Sequence, residues 1–438
     1  MFTEIKGHSH IEKIITDIQE EYCENQEIPW IIGFSGGKDS TVLLTLTWIA
    51  LRRIQENKGE LNRRIHIVCN DTLVENPIIT AYTQEVLKDI EHSALEQELP
   101  IQVVQTTPEL HESFWTNVIG KGYPVPNNTF RWCTDRLKIR PTASFLHKKV
   151  SESGKAIVLL GTRYSESASR ERSIRKHERT NRRLAPHPTT PGTLVFAPIK
   201  ELEIEDIWYV IQGVKCPWGF DNKILVDIYM NASADDYECP TVVTNKSHKS
   251  CGQSRFGCWT CTVVSEDKSM KAMIESKYQW LNPLLELRNS LQKERNVSDN
   301  RSEKRRNGMK AVTEEGENFG SYNFTYRMSV LRRLLTIQEN LHKEGHELNL
   351  ITTQELSAIQ VSWDRDGYTE PRVSNILNEI KTGKLQKETQ LEIDSVLKKE
   401  SAKLITKLIK IHDNKSIMIN KIGLLNDVEK ALDQHIEG

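Results

Sequence analysis

The sequence predicts an α/β protein: a doubly wound, mostly parallel sheet carrying a cysteine-rich metal insert and followed by a helical C-terminal region. Three observations lead there. Short apolar runs alternate with segments of helical period along the first half of the chain. The first of these runs ends in a glycine turn, Ser35-Gly36-Gly37-Lys38-Asp39-Ser40, and an amphipathic segment begins at once. Half of the eight cysteines fall between Cys239 and Cys261, and beyond them the periodicity is helical only.

Taken in order, Ile11, Ile14, Ile15, Ile18 and Tyr22 share one face of a helix over residues 8–22. Trp30-Ile31-Ile32-Gly33-Phe34 reads as a buried strand, and Val42, Leu46, Ile49, Ala50 and Ile54 give the helix after the turn. Ile65-His66-Ile67-Val68-Cys69 is a second strand, ending in Asn70-Asp71-Thr72, and a helix starts near Pro77. Further strands are expected at residues 101–104, 156–160 and 194–197. The expected domains are residues 1–235 for the sheet, 236–268 for the cysteine segment and 269–438 for the helices, the last available for DNA or partner contacts. Within the last, 269–287, 327–342 and 384–436 read as helical, and the charged span 288–320 as a mobile loop.

With 438 residues, 37% hydrophobic and 27% charged, the chain can bury a sizeable core. A net charge of −1 excludes a global field for nucleic acid and leaves only local patches. The start, Met1-Phe2-Thr3-Glu4-Ile5-Lys6, lacks the apolar stretch of a signal peptide, and no run is long enough to span a membrane. A cytoplasmic location is expected, where eight cysteines point away from structural disulfides.

The glycine turn carries the first chemistry. Glycines allow close backbone approach, and a new helix offers free N–H groups at its positive end, so a strand–turn–helix of this kind binds phosphate. The turn is not a Walker A loop, because no Gly-Lys is followed directly by Ser or Thr at the required spacing. Gly36, Gly37 and Lys38 offer amides to a phosphate group, and the Lys38 side chain can neutralise charge on it. Asp39 is placed for Mg²⁺, and Ser35 and Ser40 for phosphate oxygens. Asp71, at a strand end, is a candidate nucleotide contact, although a strand-end Asp also forms turns.

Phe130-Arg131-Trp132-Cys133-Thr134-Asp135-Arg136-Leu137-Lys138 sets Cys133 among basic residues, an arrangement expected to lower its thiol pKa. Gly161-Thr162-Arg163-Tyr164-Ser165-Glu166-Ser167 follows a strand; Arg163 and Arg170 suit phosphate, with Glu166 to orient one of them. The basic run through Arg172, Arg175, Lys176, Arg179, Arg182 and Arg183 is a candidate nucleic-acid track or a solvated helix face. Cys239, Cys251, Cys258 and Cys261, four thiols in 23 residues, can hold either a [4Fe–4S] cluster or Zn²⁺, and Cys216 is a rival ligand.

The Ser-Gly-Gly-Lys-Asp-Ser turn resembles the PP-loop of ATP pyrophosphatases, and Arg-Trp-Cys-Thr with Gly-Thr-Arg-x-x-Glu-Ser resembles the PAPS reductase branch of that family. Together with Arg255-Phe256-Gly257-Cys258-Trp259-Thr260-Cys261-Thr262, the chain is similar to the DndC/SspD sulfurtransferases of DNA phosphorothioation over residues 30 to about 265. The resemblance implies an adenine nucleotide alpha hydrolase-like fold, ATP and Mg²⁺, an iron–sulfur cluster on Cys239, Cys251, Cys258 and Cys261, and ATP binding by Ser35 to Ser40. It also implies DNA as substrate, a cysteine desulfurase and further subunits of a modification complex as partners, and no membrane. True PAPS reductases carry a C-terminal Glu-Cys-Gly-x-His segment that this chain lacks, and iron–sulfur APS reductases show Cys-Cys where it has Trp132-Cys133. A tRNA-thiolating enzyme and a zinc-clipped, nucleotide-sensing DNA-binding subunit are the alternatives.

Overall fold

A computed structural model describes residues 8–24, 26–177, 183–232, 257–314 and 316–382 of the chain. Its described residues form two compact units, one running to Phe114 and resuming from Pro126 to Gln292, the other made of Trp115–Val125 and residues 293–382. This division differs from the expected boundaries at 235 and 268.

The first unit is the α/β body. Its strands are β1 (Trp30–Gly33), β2 (Ile65–Asn70), β3 (Ile101–Thr106), β4 (Ala156–Leu159), β5 (Ala185–Pro186) and β6 (Thr193–Phe196), in the order β3-β2-β1-β4-β6-β5. All pairings are parallel except β5 with β6. The chain winds from β1 outward to β3, then returns to lay β4 on the other side of β1. That reversal creates a crevice at the carboxyl ends of β1 and β4, where open α/β sheets bind ligands. The doubly wound, mostly parallel sheet expected from the sequence is therefore present, with the short β5 as an antiparallel addition.

Helices α1 (Ser9–Glu24), α2 (Lys38–Glu56), α3 (Pro77–Glu96), α4 (Arg140–Ser153), α5 (Ala168–His177), α6 (Ile204–Gly213), α7 (Lys223–Ala232), α8 (Lys268–Ser276) and α9 (Asn282–Glu294) accompany the sheet. Helix α2 is covered on nearly every face, with α1 and α6 against it. Helix α3 starts as its sequence dictates: the Asn76 side chain accepts the Ile78 amide and Pro77 occupies the first turn, where no N–H is needed. The span 269–287 is two helices separated by a turn at Gln279–Leu281. Most of α9 belongs to this unit because Arg288, fully buried, donates to the carbonyls of Cys261, Val264 and Ser265, so the cysteine segment and the helix fold together.

The second unit contains α10 (Phe324–Lys343), α11 (Thr353–Arg365) and α12 (Val373–Thr382) around a wide helical turn at Thr116–Gly120. Trp363 donates to the Ile119 carbonyl and Arg327 to the carbonyls of Ile119 and Gly120. The span 288–320, expected as a mobile loop, is ordered: α9 runs to Glu294, bridges link Arg301 with Tyr322 and Val312 with Asn318, and buried Arg301 donates to the carbonyls of Arg295, Phe319 and Gly320. One arginine with three carbonyl partners replaces the apolar core that the sequence lacks there. The expected helix over 384–436 lies outside the described residues. Among the described residues, no helix is long and apolar enough to cross a membrane.

Candidate active site

The glycine turn lies where β1 hands over to α2, at the crevice. Its shape is fixed by its own side chains: the Ser35 amide donates to Ser40 Oγ at 3.3 Å, Ser40 Oγ donates to the Gly37 carbonyl at 2.9 Å, and the Gly37 amide donates to Ser35 Oγ at 3.4 Å. Gly36 has φ +72°, and a Cβ there would stand 2.6 Å from Thr83 Oγ1, so glycine is required for both conformation and space. Gly37 caps α2 without a side chain. The cap comes from elsewhere: the Lys38 amide donates to the hydroxyl of Tyr229 on α7, 3.2 Å away, while Lys38 Nζ lies 5.3 Å above the Tyr229 ring. Tyr229 was not legible as a site residue, being one apolar position in an amphipathic helix.

Lys38 is buried and its Nζ is 3.4 Å from Asp39 Oδ2, while Arg163 Nε donates to Asp39 Oδ1 at 2.6 Å. Arg163, 3% exposed, also donates to Ser165 Oγ and to the Leu202 carbonyl. These contacts hold the guanidinium, and Glu166 closes the short turn after Arg163. Asp39 thus bridges two cations. Gly161 brings the end of β4 against the loop: a Cβ there would be 3.0 Å from the Asp39 carbonyl oxygen.

Beside the loop is a cavity of about 340 Å³, on the scale of small-ligand pockets. Ile31, Val68 and Val158 make its apolar floor, Ser35 joins it to the phosphate loop, and Asp71, Glu75 and Lys138 line its polar side. Asp71 is partly committed to local structure, since its Oδ1 accepts the Leu73 amide at 2.8 Å. The walls suit a planar base on the floor with phosphates toward Ser35.

At the polar side the cavity meets the thiols. Glu75 pairs with Cys258 in an antiparallel bridge, with the Trp259 amide donating to the Val74 carbonyl and the Asn76 amide to the Gly257 carbonyl. Cys258 is partly covered as a residue, but its sulfur faces inward, 3.3 Å from Thr72 Oγ1 and 4.0 Å from Glu75 Oε1. Burial, reinforced by Glu75, pushes its thiol up to about 12. The Cys258 sulfur and Glu75 together hold the Lys138 ammonium at about 12; Lys138 Nζ is 3.7 Å from Glu75 Oε1. Cys133 belongs to the same group, because burial first and Cys261 second raise its pKa. This corrects the expected lowering. Arg136 lies over the Trp132 ring, Arg131 bonds Asn128 and Arg140 bonds Glu112 and Asp135, so of the basic neighbours Lys138 alone acts on the thiol.

Cys133, Cys258 and Cys261 therefore share one site with Lys138. Three thiols beside a lysine offer sulfur donors of the kind that hold iron–sulfur or zinc, since a coordinating metal deprotonates thiols outright, including Cys133 and Cys258, whose pKa burial raises. Among the described residues these three alone do not stand close enough together to hold an ion. Cys239 and Cys251 lie outside the described residues. Cys216 is not part of the group: it is buried near Trp218, Gly219 and Phe220, whose amides bond its sulfur, and burial lifts its pKa to about 12. In the basic run, Arg175 pairs with Glu171 and stacks on Tyr164, and Arg183 is taken by Glu20, Glu21 and Glu24. Arg179, Arg182 and the Arg170 side chain lie outside what the structure describes.

A parallel sheet with this turn at its central strand and a nucleotide-sized cavity at the switch point defines a nucleotide-binding α/β protein of the PP-loop type. The chain belongs to the phosphoadenosine phosphosulfate reductase domain family, whose sequence profile matches residues 29–264. It is 30% identical over 152 residues to an uncharacterised protein of Methanocaldococcus jannaschii, covering 35% of this chain and 26% of that one, so it spans about a quarter of that relative. Solved structures with partial likeness include the FMN adenylyltransferase of Candida glabrata in complex with FMN and an ATP analogue (13% identity, TM-score 0.28, covering 48% of this chain and 60% of that one). Two others are the NH3-dependent NAD synthetase of Campylobacter jejuni (16%, TM-score 0.31, covering 51% and 77%) and the U34-tRNA thiolase of Methanococcus maripaludis with its [4Fe–4S] cluster (13%, TM-score 0.28, covering 51% and 74%).

Proposed function

We propose that the protein is an ATP-dependent sulfurtransferase of the DndC type, which adenylates a non-bridging oxygen of a DNA backbone phosphate and lets sulfur displace the AMP. One observation carries the reading: Glu75 and Lys138 belong both to the wall of the nucleotide-sized cavity and to the group of Cys133, Cys258 and Cys261. A site for activating a phosphate and a site for holding sulfur thus share two side chains.

The DNA phosphate oxygen attacks the α-phosphorus of ATP, the bond from that phosphorus to the bridging oxygen breaks, and pyrophosphate leaves. Lys38 and the amides at the start of α2 take up the charge that collects on the leaving group. Arg163 holds Asp39 and with it the first turn of α2. Mg²⁺, when bound, adds charge neutralisation, with Asp39 as its carboxylate donor. A thiolate-bound cluster, when present, supplies sulfur- and electron-transfer capacity; Cys258 and Cys261 would hold it together with Cys239 and Cys251.

A cysteine desulfurase loads Cys133 with a persulfide. Its terminal sulfur attacks the adenylated phosphorus, the phosphorus–oxygen bond to AMP breaks, and AMP departs. A second thiol then attacks the Cys133 sulfur; the sulfur–sulfur bond to the DNA breaks, the phosphorothioate leaves with the electron pair, and the disulfide formed on Cys133 is reset by a dithiol reductant. The test supplies ATP, radiolabelled cysteine, a cysteine desulfurase and either DNA or tRNA. The expected result is pyrophosphate release and label in DNA, both lost in Lys38→Ala. Label in tRNA alone, or pyrophosphate release by Lys38→Ala at the native rate, overturns the reading.

A further inference from the structure

Away from the nucleotide site, the start of α1 and the start of α6 bring His8, His10 and Asp206 together, with one donor atom from each lying within 4.8 Å of the others. Both halves are fixed by contacts of their own. His8 packs on Tyr209, one turn beyond Asp206 in α6, with ring centroids 3.8 Å apart. Asp206 Oδ2 accepts the Glu203 amide at 3.0 Å in the capping box of α6, which leaves Oδ1 turned toward His10 Nε2 at 2.8 Å. His10 is half exposed, so the group is open to solvent.

We infer that His8, His10 and Asp206 form a binding site for one divalent transition-metal ion of the Zn²⁺ class, separate from the thiols. Two imidazoles with one carboxylate suit Zn²⁺, Co²⁺, Ni²⁺ or Cu²⁺, and are a poor set for Mg²⁺ or Ca²⁺, which take oxygen donors. A tetrahedral ion with metal–nitrogen bonds of ~2.0–2.1 Å needs donors about 3.3 Å apart. The His10–Asp206 pair is at 2.8 Å and all three donor atoms lie within 4.8 Å of one another, so small side-chain adjustments on binding bring them to that spacing. The carboxylate, held by the helix cap, supplies the negative charge that a cation needs beside two helix N-termini. Water completes the coordination. The bound ion would tie the start of α1 to the segment ahead of α6, whose Leu202 carbonyl accepts from Arg163.

Cobalt separates this site from the thiols by colour. Thiolate-bound Co²⁺ shows sulfur-to-metal charge transfer in the near ultraviolet, whereas a site of nitrogen and oxygen donors shows ligand-field bands alone. The full-length protein is titrated with Co²⁺, alongside His8→Gln, at a half-buried position, and His10→Gln, at an exposed one. The expected result is one Co²⁺ class without charge transfer, whose affinity falls by about tenfold or more in each variant. Its saturation raises the melting temperature of the native chain only, and the thiolate class is unchanged. Absence of such a class in the native protein, an equal affinity in both variants, or a loss in one variant alone overturns the three-ligand site.

Discussion

Replacing Gly161 by alanine tests the phosphate loop without touching any side chain that meets the nucleotide. Gly161 does not sit in the left-handed region, so alanine carries no conformational penalty there. The added Cβ would stand 3.0 Å from the Asp39 carbonyl oxygen, 3.1 Å from its carbon and 3.2 Å from the Ser40 amide nitrogen. All three are backbone atoms of the first turn of α2. That helix has fourteen buried residues out of nineteen, so it cannot retreat as a body. The strain, about 1–3 kcal/mol for an overpacked site, falls on the loop and shifts Asp39 relative to Arg163. If half or more of it appears as misplaced phosphate donors, kcat/KM for pyrophosphate release drops by roughly 2- to 160-fold. Pyrophosphate release is measured against Gly213→Ala as control, where the nearest atom to the new Cβ is a Tyr209 ring carbon at 3.6 Å. A Gly161→Ala protein with native kcat/KM and native melting temperature would show that β4 does not brace the loop.

Three further outcomes are expected. Tyr229→Phe keeps the ring under Lys38 but removes the hydroxyl that accepts the Lys38 amide; that bond is worth ~0.5–1.5 kcal/mol and competes with a phosphate oxygen, so calorimetry should find ATP bound about two- to tenfold more tightly, and weaker binding would contradict the competition. Arg163→Lys cannot reach Asp39, Ser165 and the Leu202 carbonyl together, so kcat should fall by about 100-fold with ATP affinity much less affected; unchanged kcat would remove the arginine from the assembly of the loop. In metal-free protein, Cys258 has a folded pKa of about 12 against an ordinary value of 9.0. Its proton is bound more tightly in the folded state, so its contribution is fully present below pH 9 and lost as pH rises toward 12. Melting temperatures across that window should fall less steeply in Cys258→Ser; parallel curves would contradict the assignment.

The parts of the fold that could be read from the residues are those where local chemistry and burial agree. The five main strands are short apolar runs bounded by turn formers, and the Ser35–Ser40 turn announces itself because its geometry needs glycine at Gly36. The doubly wound, mostly parallel character of the sheet followed from alternation with helices, whereas its strand order rests on long-range pairing. What escaped reading depends on contacts distant in sequence. Tyr229 reaches Lys38 across 191 positions, and nothing in its own helix marks it. The basic residues around Cys133 suggested an acidic thiol, yet Arg136 and Arg140 turn to Trp132, Glu112 and Asp135, leaving desolvation to dominate. Arg301 turned an apparently unstructured charged span into an ordered one by gathering carbonyls, an arrangement that composition reports with the wrong sign.

The direction of the thiol shifts also bears on the order of events in the proposed reaction. Cys258 is neutral near pH 7 in the free protein, and Cys133 is held above the ordinary thiol range, so neither is a ready nucleophile beside a bound triphosphate. Lys138 stays charged under the same conditions and is closer in character to a phosphate clamp than to a base. An unloaded site therefore favours attack by the phosphate oxygen of the acceptor on ATP over attack by sulfur. Sulfur becomes competent only after it has been loaded as persulfide or its thiols have been deprotonated by metal, so adenylation can run without being diverted to a cysteine. In the proposed reaction, burial of the thiols, which looks like a handicap for a sulfur carrier, would keep the two half-reactions apart beside the cavity that Glu75 and Lys138 line.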